Sequence, residues 1–288
     1  MFGLAWFVLH TALLAGCPAA PQGGDGGPQE QDPQQRSSLR AIFQLDPSAP
    51  KMPFPCDILT QEDAKTPTGR RISLKESKNN GLIDEGLTLF GDIYIKMLNQ
   101  LDGWSAAGSI LVPLEGEIRQ DNLPNFSRET PKDAPVVVMD VDPASPDQNK
   151  RIPVSVSLLN FSDAKQGHPH ILKIQPLFPL RPHTRYLVAL TASLQDKQNR
   201  PIAASEDFLY VSAQKPIPAE HPAKSRIEEA KIRLQGPMAT LEKEGIAKSS
   251  LSLAFLVTTG SGPKDLLAAR DTILKENKLD YTFDPDKD

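Results

Sequence analysis

The sequence predicts a mainly β fold, a sandwich of short strands with a few accessory helices, from three observations. Tyr186-Leu-Val-Ala-Leu-Thr191 alternates, with Tyr186, Val188 and Leu190 on one side and Leu187, Ala189 and Thr191 on the other. That is the period of a strand with one face on a core. Val154, Val156 and Leu158 alternate with Ser155 and Ser157, a second strand with one wet face. Third, 27 of the 288 residues are proline, nearly twice the usual share of about 5%. Prolines cannot donate to a sheet ladder, so Pro176, Pro179 and Pro182 confine the stretch before Arg185 to an edge or a connection. The net charge of −4, with no long basic run, argues against nucleic acid as a partner.

The chain begins with the apolar run Met1–Gly16, too short for the roughly 20 residues that span a bilayer. It fits the h-region of a signal peptide. It ends in Leu14-Ala15-Gly16-Cys17, which resembles the lipobox of bacterial lipoproteins, where cleavage precedes a cysteine that is then lipidated. One departure is the lack of Lys or Arg ahead of the apolar run. Residues 17–38 are almost devoid of apolar side chains beyond alanine and are expected to be a disordered tether. A multiply acylated Cys17 anchors stably where one acyl chain does not, so a membrane is the expected partner. Pro18 replaces the aspartate of the inner-membrane retention signal, so the resemblance implies a lipid-anchored protein of the bacterial envelope, in the outer membrane.

The folded part is expected over 39–260. Phe43-Gln-Leu-Asp-Pro47 reads as a strand end turning at Asp-Pro, and Met52–Asp57 as extended chain because residues before proline avoid the helical region. A short strand is expected at Arg71–Leu74. Ile83, Leu87, Phe90, Tyr94, Met97 and Leu101 recur at three or four, predicting a helix to Leu101 that stops at Asp102-Gly103. Further strands are expected at Ser109–Leu114, Pro135–Val141, Pro153–Leu159 and Ile171–Ile174, with a polar turn at Asp196–Pro201. Ser225-Arg-Ile-Glu228 fits a capping box, and Ile227, Ala230, Leu234, Met238 and Leu241 continue the stripe of a helix closed by Gly245. Gly236-Pro237 should break or kink it. Leu251–Thr259 alternates as a last strand, and Gly262-Pro263 opens a last helix within 261–288. Leu279, Tyr281 and Phe283 stand close to Asp288, which predicts a reading frame that continues into another domain.

Few residues point to chemistry. Gly103-Trp-Ser-Ala-Ala-Gly108 invites a nucleophile at Ser105, but Ala107 stands where G-x-S-x-G needs glycine. Cys56 lacks a nearby histidine and reads as a buried thiol. Asp140, Asp142 and Asp147 are calcium candidates, although their loop lacks the glycine and distal glutamate of an EF-hand, and a solvated loop is the preferred reading. His168 and His170 lack a third ligand in view. No cofactor is expected.

Several pieces, in order, resemble the N-terminal domain of bacterial virulence-factor lipases. They are Phe43-Gln-Leu-Asp-Pro47, Pro53-Phe-Pro-Cys-Asp57 (where the family commonly has asparagine at the fourth position), Leu101-Asp-Gly-Trp-Ser105, Gly245-Ile246 and Ala254-Phe-Leu-Val-Thr-Thr259. Leu180-Arg-Pro-His-Thr-Arg-Tyr186, with Val188, Leu190-Thr191 and Asp196, is similar to a bacterial Ig-like repeat. The resemblance spans Phe43 to Thr259. It implies an Ig-like β-sandwich and a lipase or esterase domain downstream, whose serine, acid and histidine would lie beyond Asp288. The alternative is a stand-alone Ig-like lipoprotein with a structural or adhesive role. A hydrolase within these 288 residues is the least favoured reading.

Overall fold

The residues with most strand character, β-branched and apolar in short runs, form two three-stranded antiparallel sheets. The computed structural model describes residues 39–48, 50–74, 91–121, 123–125, 130–159, 170–262 and 264–275. In chain order these residues contain β1 (Thr60–Glu62), β2 (Arg70–Ile72), helix α1 (Gly91–Leu98), β3 (Ile110–Leu114), β4 (Val136–Asp140), β5 (Val154–Leu159), β6 (His170–Pro176) and β7 (Arg185–Thr191). Helices α2 (Glu206–Val211) and α3 (Lys224–Lys243), strand β8 (Leu251–Thr258) and helix α4 (Lys264–Lys275) follow. The sheet orders are β1-β2, β3-β6-β5 and β4-β7-β8, all antiparallel and none closed. The fold is therefore mainly β. The proline-spaced stretch after β6 carries the chain from one three-stranded sheet to the other.

Strand β7 departs from the expectation of a single buried face. Every residue from Tyr186 to Thr191 is buried, and so is every residue of β8. The physical reason lies in position and composition. β7 is the central strand of its sheet, with Val188 opposite Val138 on one side and Phe255 on the other. It carries no charge after Arg185, so both faces can be covered. Strand β5 behaves as predicted, with Val154, Val156 and Leu158 buried and the intervening serines more open.

Helices α2 and α3 pack on each other and on β8. The buried residues of α3 are Ile227, Ala230, Leu234, Met238 and Leu241, the stripe that periodicity predicts. The predicted break at Gly236-Pro237 does not occur, because buried Leu234 and Met238 flank it and anchor both halves. Their burial offsets the roughly 3 kcal/mol that an interior proline costs. The predicted capping box is also absent. The helix starts at Lys224, and Ala223 makes no side-chain cap. Gly245 closes α3 as expected, at φ +87°, with Ile246 N–H donating to Leu241 O (2.9 Å) and Gly245 N–H to Glu242 O (3.0 Å).

Of the predicted stripe, Tyr94 and Met97 on α1 are turned outward, as is Leu101 just past its end. Tyr94, Met97 and Leu101 are 44%, 60% and 49% exposed, while Ile95 and Leu98 pack against the core. Both faces of this helix carry apolar residues, so period alone could not choose between them. Residues 83–90 of the predicted helix lie outside the described residues. The helix ends at Leu98, short of the predicted Leu101 and of Asp102-Gly103, and tertiary hydrogen bonds hold the chain just past that end. Asn99 Oδ1 accepts from Leu74 N–H (2.8 Å), and Asn99 Nδ2 donates to Leu74 O (2.9 Å). Helix α2 escaped the sequence reading; Ser205 caps it by accepting from Phe208 N–H (3.3 Å).

The polar turn after β7 is built on a buried carboxylate. Asp196 Oδ1 accepts from Gln198 N–H and Arg200 N–H, both at 2.9 Å, and Oδ2 from Arg200 Nε at 2.8 Å. Burial raises its pKa, but these donors outweigh burial and hold the carboxyl below its ordinary value. A carboxyl lowered in the folded state stabilises above its unfolded pKa of about 3.9 and loses that contribution as pH falls through the folded value. Asp196→Asn is accordingly expected to be less stable than the parent at neutral pH, with a smaller loss on acidification below about pH 4. Urea midpoints at acid and neutral pH measure this; equal acid losses would exclude Asp196 as the titrating group.

Candidate functional site

Three chain segments that are far apart in sequence meet at the end of β8. The first is Pro53-Phe-Pro-Cys-Asp57. Prolines on both sides of Phe54 keep it extended, and Phe54 pairs with Leu111 of β3, with N–H to O distances of 2.9 and 2.7 Å. This places Asp57 at the start of a 3-10 turn, 2% exposed. Its Oδ1 accepts from Thr258 N–H (2.7 Å), and its Oδ2 accepts from Thr258 Oγ1 (2.6 Å) and Arg233 Nη2 (3.0 Å). Arg233 Nη1 donates to Asp57 O (3.2 Å). A buried carboxylate is tolerated here because both oxygens are occupied and a guanidinium balances the charge.

The second segment is Leu101-Asp-Gly-Trp-Ser105. Trp104 N–H donates to Thr258 O, and Gly260 N–H to Trp104 O, both at 2.9 Å. Gly103 lies so close to the third segment that a Cβ there would stand 2.6 Å from Gly260 N. Trp104 meets Phe54 edge to face, with ring centroids 5.2 Å apart. The third segment, Thr258-Thr259-Gly260-Ser261, is held from both sides. Thr259 Oγ1 donates to Arg181 O (2.6 Å) and accepts from Thr184 N–H (3.0 Å), and Ser261 N–H donates to Asp102 Oδ1 (3.0 Å). The arrangement clamps the chain as it leaves the last strand for α4. Asp102 Oδ2 and Trp104 Nε1 are buried there without a hydrogen-bond partner among the described residues.

The clamp holds no nucleophile with a base. Ser105 Oγ accepts only from Ala107 N–H (3.3 Å) among the described residues. Among the described residues the acid–histidine pair lies elsewhere: His221 Nε2 is 3.4 Å from Asp207 Oδ1. Its Nδ1 accepts from Ala223 N–H (3.2 Å), so neither ring nitrogen is left to take a proton from a substrate. Cys56 is fully buried, and burial pushes its thiol up to about 12, far from a reactive thiolate.

The calcium candidates are not brought to one point. Asp140 accepts from Asp142 N–H (3.0 Å) and Ser145 Oγ (2.5 Å), and Asp142 from Ala144 N–H (2.9 Å) and Arg185 N–H (3.1 Å). Asp147 pairs with Lys150 (2.7 Å) and Arg181 (2.6 Å), and these donors lower its pKa. Internal donors thus occupy all six oxygens, and no group of three His, Cys, Asp or Glu residues that could hold a metal occurs among the described residues. His170 lies on β6; His168 and Cys17 lie outside the described residues.

Sequence reasoning quoted Asp57 and Thr258 within motifs without a role, used Gly103 only as a helix stop, and missed Arg233 altogether. Arg233 reads as an ordinary polar residue of an amphipathic helix, and its partner is 176 positions away. No helix of the described residues is long and apolar enough to cross a membrane. Comparison with protein-family models, with curated proteins and with solved structures finds no match.

Proposed function

We propose that this chain is the non-catalytic N-terminal module of a lipid-anchored lipase or esterase of the bacterial envelope. Cys17 would carry the anchor, and the module would space and orient a hydrolase domain near its lipid substrate. The observation that carries the reading is the convergence just described. Three of the pieces behind the family resemblance, at 53–57, 101–105 and 254–259, meet at one clamp, at the point where the chain leaves its last strand. A rigid exit is what a module needs if it is to fix the orientation of whatever follows. The finer architecture we propose is Ig-like, and two three-stranded antiparallel sheets contributing to one buried cluster support it.

Two measurements test the two halves of the reading. In cells, the chain should fractionate with outer membranes and take up radiolabelled palmitate. Cys17→Ser should abolish the label and release the protein to the soluble fraction; unchanged fractionation and labelling would sink the anchor. The coding sequence past Asp288 tests the hydrolase half. A domain with G-x-S-x-G between a strand and a helix supports it. A stop codon there overturns it and leaves the stand-alone lipoprotein.

A further inference from the structure

Beside the clamp, a cleft of about 220 Å³ opens between α3 and the segment that carries the 3-10 turn. Its apolar walls come from Pro50, Ile58, Leu59 and Leu74, while Arg226 and Arg233, two turns apart on α3, bring guanidinium groups to it. Arg226 donates only to Leu45 O (3.4 Å) and forms no ion pair among the described residues. Behind the cleft, Arg70 is 7% exposed, and among the described residues its side-chain donors reach only Thr60, at Oγ1 (2.6 Å) and O (3.3 Å). Thr60 itself lines the cleft. Burial, and after it the charge of Arg233, hold Arg70 below the usual arginine pKa.

Among the described residues the carboxylates nearby are engaged or distant, and the one that lines the cleft, Glu229, turns toward Arg233. Asp57 serves Thr258 and Arg233, and Glu229 lies 3.7 Å from Arg233. Asp46, which feels the charge of Arg226, is held by Ser48 N–H (2.8 Å) and Ser48 Oγ (2.7 Å). Glu62 acts on Arg70 only at a distance. The cleft thus has apolar residues along one wall and a mixed polar lining, and among the described residues it is edged by a guanidinium that lacks a carboxylate, with a second such guanidinium one hydrogen bond behind it. A guanidinium fork matches a carboxylate in geometry and charge.

We propose that this cleft binds a small amphipathic carboxylate, a monoanion with a short hydrocarbon tail. The head sits on Arg226, with Arg233 beside it, and the tail lies on Ile58, Leu59 and Leu74. The apolar wall of Ile58, Leu59 and Leu74 is short, so a short-chain acid such as hexanoate is the probe. This inference does not rest on the module reading, since a stand-alone lipoprotein would carry the same cleft.

The test is calorimetric titration of the full chain with hexanoate, using Cys17→Ser as the parent so that no protein-borne acyl chain competes. Hexanoate is expected to saturate a single site, with 1-hexanol weaker by about tenfold or more. Arg226→Gln should weaken hexanoate by about tenfold, and Arg226→Lys should restore part of that loss. Arg119→Gln, which removes a guanidinium paired with Asp121, should leave binding unchanged. Equal urea midpoints for parent and variants establish that the fold is intact. No saturable binding to the folded parent, hexanol binding as well as hexanoate, or an unaffected Arg226→Gln would each overturn the proposal.

Discussion

Asp57→Ala is expected to lower the unfolding free energy by about 3–5 kcal/mol, a large share of what an ordinary domain has. The substitution does more than delete a contact. It leaves the Arg233 guanidinium, whose side chain is 19% exposed, without its buried counter-charge. It also strips the acceptor from Thr258 N–H and from Thr258 Oγ1 at the end of β8. The cost comes mainly from these orphaned donors, because the net gain from a buried ion pair is small once desolvation is counted. That distinction is itself measurable. Asp57→Ala combined with Arg233→Met removes the stranded charge and should recover part of the loss. Urea unfolding of the parent, both single variants and the double variant gives the coupling. A loss under about 1 kcal/mol for Asp57→Ala would mean that the clamp is not a stability element.

Gly103→Ala should cost about 3 kcal/mol, although it adds only one methyl group. The new Cβ would lie 2.6 Å from Gly260 N, 2.7 Å from Thr259 C and 2.8 Å from Gly260 Cα. These are backbone atoms, so no side-chain rotation can relieve the overlap. The segment around Trp104 must retreat, which breaks the two 2.9 Å hydrogen bonds to Thr258 and Gly260. Gly236→Ala is the control, since nothing lies within 4 Å of a Cβ there and the site is helical. It should be stabilised by about 0.5–1 kcal/mol. Trp104 is the one tryptophan outside the predicted signal peptide, so its emission reports the clamp directly. Gly103→Ala should shift that emission to the red before global unfolding; an unshifted spectrum and an unchanged midpoint would refute the close approach.

Particular elements show how far the sequence could be read. The buried stripe of α3, the inward residues of β5 and the closing glycine Gly245 were all legible, because each depends on the residue's own element and its period. The outward turn of Tyr94 and Met97 was not, because α1 has two apolar faces and only its neighbours select one. At Pro237 the local preference to break was outweighed by core contacts on both sides, so the helix runs through it.

The sequence by itself determined the mainly β class, the positions of the principal strands and the absence of a G-x-S-x-G nucleophile. It took the folded chain to reveal that Asp57, Arg233 and Thr258 share one buried network, that Gly103 lies against Gly260, and that Arg226 edges a cleft with apolar residues along one wall. The physical reason is that a period records whether a residue is buried, not what it is buried against. Asp57 and Thr258 stand 201 positions apart, and nothing local to either announces the other.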